Sequence, residues 1–232
     1  MNFSLTEEHL MIRKAARDFA NSVCKPGVIE RDSDQIWPAE QVKGMAELGF
    51  LGMMVDPKYG GSGLDTLSYV IALEEISKID NSSSVLMSVN NSLVCWGLQE
   101  FGTEEQKQKY LTPLAKGEKL GAFCLSEPEA GSDATSQRTT AVDKGDHYIL
   151  NGTKNWITNG GCASIYLVIA QTDPSKGSKG IDVLIVEKGM EGFIVGKKED
   201  KLGIRSSDTH TLLFNDVKVP KANRIGEEGF GF

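Results

Sequence analysis

The sequence predicts an α+β chain: an all-helical domain over residues 1–118 followed by a β-barrel or sandwich over residues 119–232. Two observations predict it. Up to Gly117, apolar residues recur at helical spacing between capping residues and glycine stops. Beyond Gly117 the period changes, and short β-branched or aromatic segments alternate with turns. There is no internal repeat and no low-complexity tract.

Taken in order, Thr6-Glu7-Glu8 reads as a helix start, with acids near the positive end of the helix dipole. Met11, Ala15, Phe19 and Val23 form one stripe, and Pro26 ends the helix. Pro38 opens a second helix carrying Val42, Met45 and Leu48, closed by Gly49. After the loop Gly60-Gly61-Ser62-Gly63, Asp65 caps a helix through Tyr69, Leu73 and Ile76. A longer apolar helix runs from about Ser84 to Phe101, stopped by Gly102. Thr103-Glu104-Glu105-Gln106 has the form of a capping box. Strands are expected at 120–125, 147–150, 166–171, 182–187 and 212–219. Asp143-Lys144-Gly145-Asp146 reads as a hairpin turn, Asn151-Gly152 as a type I′ turn, and Pro174 to Gly180 as a flexible polar loop.

Composition narrows the function. The net charge of −7 and the lack of a basic cluster argue against nucleic acid. No apolar run is long enough to span a bilayer, and Met1-Asn2-Phe3-Ser4 carries neither a basic lead nor an apolar signal core. A cytoplasmic setting follows, or the mitochondrial matrix for a processed eukaryotic chain. Cys24, Cys95, Cys124 and Cys162 share no CxxC spacing and read as reduced core residues. With His9, His147 and His210 scattered singly, no metal site is expected. Neither a nucleophilic triad nor a Rossmann or Walker loop is present.

Two stretches carry chemistry. In Phe123-Cys124-Leu125-Ser126-Glu127-Pro128-Glu129-Ala130-Gly131-Ser132-Asp133, a strand ends at a hydroxyl, Gly131 admits close approach to the backbone, and Ser132 offers a donor to a phosphate or carbonyl oxygen. Glu127 and Asp133 read as loop carboxylates that cap backbone amides. In Trp156-Ile157-Thr158-Asn159-Gly160-Gly161, a strand tryptophan is ordinarily core; it becomes a ligand platform if Thr158 also faces the pocket. These residues by themselves point to a polar-ligand site on the β domain.

The whole chain, moreover, resembles the acyl-CoA dehydrogenases, most closely their short-chain branch. Besides the two loops, the likeness runs through Val55-Asp56-Pro57-Lys58-Tyr59-Gly60-Gly61-Ser62-Gly63, Gln99 to Lys107, Lys201-Leu202-Gly203-Ile204-Arg205-Ser206-Ser207-Asp208-Thr209 and Phe214 to Pro220. The resemblance implies a helical N-terminal domain, a middle β-barrel and a C-terminal helical bundle that these 232 residues do not contain. It implies FAD as cofactor, contacted by Phe123, Leu125, Ser126, Gly131, Ser132, Trp156 and Thr158, with Thr158 near the reactive flavin nitrogen. Ser132 would also meet the CoA arm of the substrate. Ser126 stands where threonine is also common, and Glu129 replaces a smaller residue.

The activity so implied is α,β-dehydrogenation of a short-chain acyl-CoA to the trans-2-enoyl-CoA. Electrons would pass to electron-transfer flavoprotein, and the full-length protein would be a homotetramer. The family's catalytic glutamate belongs to the bundle, so no catalytic residue is expected in this chain, which reads as truncated and impaired alone, with apolar surface exposed on both domains. An acyl-CoA oxidase, or a non-catalytic FAD- or acyl-CoA-binding module, are the alternatives. Leu93, Val94 and Trp96 would either line an acyl channel or pack in the core.

Overall fold

The computed structural model describes residues 4–231; Met1–Phe3, part of the N-terminal segment read above, and Phe232 lie outside the described residues. The chain divides into two compact units. One comprises the chain up to Trp96 with Thr112–Glu118 and Asp200–Ser207; the other comprises Gly97–Leu111, Lys119–Glu199 and the chain from Asp208 onward.

The first unit contains helices α1 (Glu7–Phe19), α2 (Val28–Ser33), α3 (Ala39–Glu47), α4 (Thr66–Ser77) and α5 (Asn81–Ser88). Thr6 caps α1 in a reciprocal box with His9, and Asp65 caps α4 through the Ser68 amide at 2.7 Å. The expected stripe on α1 is displaced. Ala16, Phe19, Ala20 and Cys24 are buried, whereas Met11 and Ala15 are exposed. Before the turn the buried face is centred on Ala16 and Phe19, which meets Phe50 edge-on at 5.9 Å; the π-type turn at Ala20–Cys24 then adds a residue, so that Cys24 and not Val23 continues the buried face. Helix α2 carries no buried residue and left no apolar pattern to read. The long apolar helix starts at Asn81, earlier than expected, because Asp80 caps it through Ser83 N at 3.0 Å and is itself held by Arg31 Nη2 at 2.9 Å.

Among the ion pairs here, Glu75 has a pH consequence. The Arg17 guanidinium donates to it at 2.8 and 3.2 Å and, against the opposing effect of burial and with Lys78 at 2.9 Å, holds the carboxyl down at about 2. An ordinary glutamate titrates at about 4.3. The folded chain therefore keeps this charge more readily than the unfolded one. Its stabilisation is complete at neutral pH and fades from about pH 5 downward towards pH 2. Urea midpoints at neutral and acidic pH should fall less steeply for Glu75→Gln than for the wild type; parallel curves would refute the assignment.

The second unit begins with helical segments α6 (Trp96–Phe101, of which Gly97 onward belongs here) and α7 (Glu104–Gln106), the latter opened by the Thr103–Gln106 capping box; α8 (Thr112–Ala115) returns to the first unit. Residues 97–111 belong with the sheet because their polar side chains are spent there. Gln106 Nε2 donates to the carbonyls of Ala222 and Arg224 at 2.8 and 2.9 Å, and Tyr110 Oη donates to Glu187 at 2.8 Å.

Eight strands follow: β1 (Gly121–Cys124), β2 (Thr140–Asp143), β3 (His147–Thr158), β4 (Ile165–Gln171), β5 (Ile181–Glu187), β6 (Phe193–Lys198), β7 (Thr209–Pro220) and β8 (Arg224–Ile225). Their order is β6-β7-β3-β2-β4-β5-β8, with β1 parallel to β4. The expected barrel is not closed. The sheet is open: no ladder joins the β6 and β8 edges among the described residues, β8 is two residues long, and β2 meets β4 only through Thr140 and Gln171. The core is built from Ala122, Cys124, Tyr148, Leu150, Ile157, Tyr166 and Phe214, with Phe193 stacked on Phe214 at 5.2 Å.

Asp143 to Asp146 makes the expected turn between β2 and β3, with Gly145 at φ +95°. The residues 174–180 form a 3-10 turn. Asn151-Gly152 is not a turn. It lies inside β3, where Asn151 exchanges hydrogen bonds with Asp216 at 2.8 and 2.9 Å across a register shift. Glycine is needed at 152 because φ is +149° and a Cβ would fall 2.7 Å from Thr139 Cα. Cys24, Cys95 and Cys124 are buried free thiols, and Cys162 is half-buried. Apolar side chains remain exposed in both units, among them Met11 and Leu67 in the first and Trp156 and Phe230 in the second. No helix among the described residues is long and apolar enough to cross a membrane.

Candidate functional site

The two motif loops meet on the second unit. As the chain runs from Gly121 to Ser126, β3 runs past it in the opposite sense. Asn159 Nδ2 donates to Gly121 O at 3.0 Å at one end, and the Asn155 amide donates to Ser126 O at 2.8 Å at the other. Phe123, Leu125, Ser126, Trp156 and Thr158 are thereby brought together. Ala122 and Cys124 flank Phe123 in β1 and point into the core, so Phe123 faces the other side.

A β-bulge decides which way the second motif points. Between Lys154 and Ile157, three steps of β3 oppose two of β7, Leu212 to His210. Before the bulge the inward residues are Tyr148, Leu150 and Lys154; after it the inward residue is Ile157. Trp156 and Thr158 therefore face away from the core. The Trp156 backbone sits at φ +58°, a costly conformation for a bulky residue, and its side chain is 63% exposed. Strain of this kind persists where surrounding bonds enforce it, commonly at binding sites. Here the bonds at Asn155 and Asn159 enforce it from both sides.

Gly131 and Ser132 lie apart from this cluster on the exposed part of their loop. Paired backbone bonds between Glu127 and Ala130, 3.0 and 3.2 Å, close the bend before them. A Cβ at Gly131 would meet nothing within 4 Å, so approach to its backbone is open. Glu127 and Asp133 serve the backbone turn rather than a ligand. Glu127 accepts the Arg138 amide at 2.6 Å and the Thr139 amide at 3.1 Å; Asp133 accepts the hydroxyls of Thr135 and Ser136 at 2.8 and 2.5 Å.

Sequence reasoning overlooked Lys154. Its ammonium is wholly buried and donates to Leu125 O, Glu127 Oε1 and Gln137 Oε1 at 2.9, 2.6 and 3.1 Å. Burial pulls this lysine below its ordinary range, opposed by Glu127. Burial would raise the Glu127 carboxyl, but hydrogen bonds from Lys154, Thr139 and Arg138 outweigh it and hold the group below the usual carboxylate range. The signal was available: Lys154 is in phase with Tyr148 and Leu150, the inward positions of an apolar strand. Asp208 was overlooked too. It accepts the Gly161 and Cys162 amides at 2.8 and 2.7 Å and fixes the turn after Thr158. Of the residues considered for an acyl channel in the first unit, Val94 is buried in the core, and Leu93 and Trp96 are exposed.

The pattern for the acyl-CoA dehydrogenase N-terminal domain matches residues 6–118, and that for the acyl-CoA dehydrogenase middle domain matches residues 122–217. The chain belongs to the acyl-CoA dehydrogenase family. Within it, the short-chain specific acyl-CoA dehydrogenase of Clostridium acetobutylicum is 50% identical over 232 residues, 100% of this chain and 61% of that protein. The structure of butyryl-CoA dehydrogenase from Megasphaera elsdenii superposes with a TM-score of 0.97 at 48% identity, covering 100% of this chain and 62% of that one. A chain solved in work on the electron transferring flavoprotein of Acidaminococcus fermentans superposes with a TM-score of 0.98 at 52% identity, covering 100% of this chain and 61% of that one. The acyl-CoA dehydrogenase chain described here thus spans about three fifths of the length of these relatives.

Proposed function

We propose that this chain is the helical (1–118) and flavin-cradling (119–232) part of a short-chain acyl-CoA dehydrogenase acting on butyryl-CoA-like thioesters. The observation that carries the reading is the pairing of the Phe123–Ser126 strand end with the outward-turned Trp156 and Thr158. The site fits FAD. A strained, exposed indole offers a flat apolar surface, Ser126 and Thr158 supply half-buried hydroxyls, and the adjoining backbone is locked by Asn155 and Asn159.

When bound, FAD supplies the hydride acceptor for α,β-desaturation. The protein's own part is placement: Phe123, Leu125 and Ser126 would hold the ring through backbone and hydroxyl groups, Trp156 would flank it, and Thr158 would offer its hydroxyl. Gly131 and Ser132 leave an open, hydroxyl-bearing approach for phosphate and the CoA arm. No proton-abstracting base is assigned here. Glu127, within the first motif, is buried and spent on Lys154 and two amides. The electron acceptor is an electron-transfer flavoprotein, the full-length assembly a homotetramer, and the setting the cytoplasm or the mitochondrial matrix.

The test is flavin retention. The purified protein, mixed with FAD and gel-filtered, should carry a flavin visible band. Trp156→Ala should bind FAD roughly tenfold more weakly, the loss of one aromatic contact of about 1–1.5 kcal/mol. Anaerobic butyryl-CoA should bleach the flavin of the full-length enzyme. A full-length enzyme that retains no FAD would refute the reading; retention by the full-length enzyme but not by these 232 residues would mean that the C-terminal bundle the family resemblance implies completes the cofactor site.

A further inference from the structure

The two loops of the site are joined by consecutive residues. Lys154 Nζ donates to Leu125 O at 2.9 Å, and the next residue, Asn155, donates its amide to Ser126 O at 2.8 Å. The same ammonium holds Glu127 Oε1 at 2.6 Å and Gln137 Oε1 at 3.1 Å, so its three protons meet three acceptors. Glu127 in turn holds the Arg138 and Thr139 amides, which returns the loop towards β2. The Nε2 of Gln137 is buried with no hydrogen-bond partner, so this amide's only bond in the cluster is to Lys154. Immediately after Lys154 and Asn155 comes the strained Trp156.

We infer that Lys154 is a positioning residue: its buried, charge-bearing bond to Leu125 O sets the strand end against which FAD docks and anchors the bulge that turns Trp156 outward. The inference rests on the flavin reading above. It is favoured over a purely structural role for a physical reason. A buried ion pair is a poor device for stability, since apolar residues of similar volume commonly serve the fold as well or better. What an apolar pair cannot supply is a directed bond to one carbonyl. A hydrogen bond from an ammonium is shorter and stronger than a neutral one, and it restrains the Leu125–Ser126 peptide in orientation as well as distance.

The test uses the neutral, volume-matched pair Lys154→Met with Glu127→Gln, so that no buried charge is left alone. Three readouts are needed: melting temperature without flavin, FAD affinity by fluorescence titration, and hydrogen exchange of the Asn155 amide. The double variant should melt within about 5 °C of the wild type. It should nevertheless bind FAD about 10–100-fold more weakly, and its Asn155 amide should exchange about tenfold faster. Glu127→Gln alone keeps the bond from Lys154 to Leu125 but removes the ammonium's counter-charge, so it is compared at a temperature where its melting curve shows it folded, and there should bind FAD within about threefold of the wild type. Wild-type FAD affinity and wild-type Asn155 exchange in the double variant would overturn the assignment and leave the pair a structural one. An equal loss in Glu127→Gln alone would overturn the role given to the Leu125 bond. All variants are made in the full-length enzyme, and a full-length wild type that binds no FAD overturns the flavin reading itself, and the assignment with it.

Discussion

Lys154→Met alone is expected to lower the stability of the β-rich unit by about 3–5 kcal/mol, because it strands the Glu127 carboxylate in the interior. Glu127 is 3% exposed and would keep only the Arg138 and Thr139 amides as partners. The Leu125 carbonyl and Gln137 Oε1 would lose their donor in the same step. Neutralising the carboxylate as well should recover most of the loss, since the charge and not the volume is at fault. The two variants therefore separate cleanly in a urea titration of the purified chain. A single Lys154→Met change costing under about 1 kcal/mol would mean that water reaches this cluster and that the ion pair is effectively solvated.

Asn91→Leu should cost about 3 kcal/mol, although the two side chains are close in size and the position is 1% exposed. Asn91 sits in the π-type stretch 89–95 and spends its amide on the chain around residue 50. It donates to Phe50 O at 2.8 Å and Met87 O at 3.0 Å, and accepts the Met53 amide at 2.9 Å. Leucine leaves the Phe50 carbonyl and the Met53 amide without these partners, each a penalty of about 1–3 kcal/mol that relaxation only partly relieves. The loss should appear as an earlier thermal transition of the helical unit. An unchanged or higher Tm for Asn91→Leu would show that burying an apolar side chain outweighs these three bonds.

Both predictions concern polar groups inside segments that read as apolar from the sequence, and this is where legibility ended. Helix starts were legible because caps are local. Thr6, Asp65 and Thr103 each accept the amide three residues on, and those residues occupy the cap positions that their chemistry suggests. Strands β1, β4, β5 and β7 were legible because their apolar runs are dense. Strands β2, β6 and β8 were not, being short or polar, with few fully buried side chains. The open sheet was not legible either. Whether strands close a barrel depends on pairings such as that of Thr140 with Gln171, between residues distant in the chain.

The sequence by itself determined the order of helical and β-rich segments, the caps and the two motif loops, since these are carried by local spacing and residue type; the family came from the resemblance that runs through the whole chain. The tertiary structure alone decided which way the second loop points. Strand alternation places Trp156 and Thr158 in phase with Tyr148, Leu150 and Lys154, and hence in the core. One extra residue at the bulge reverses that phase, sends Ile157 inward and Trp156 and Thr158 outward, and leaves Lys154 buried beneath them. A one-residue slip moves every later side chain to the opposite face, and only the partner strand β7 records that it has happened.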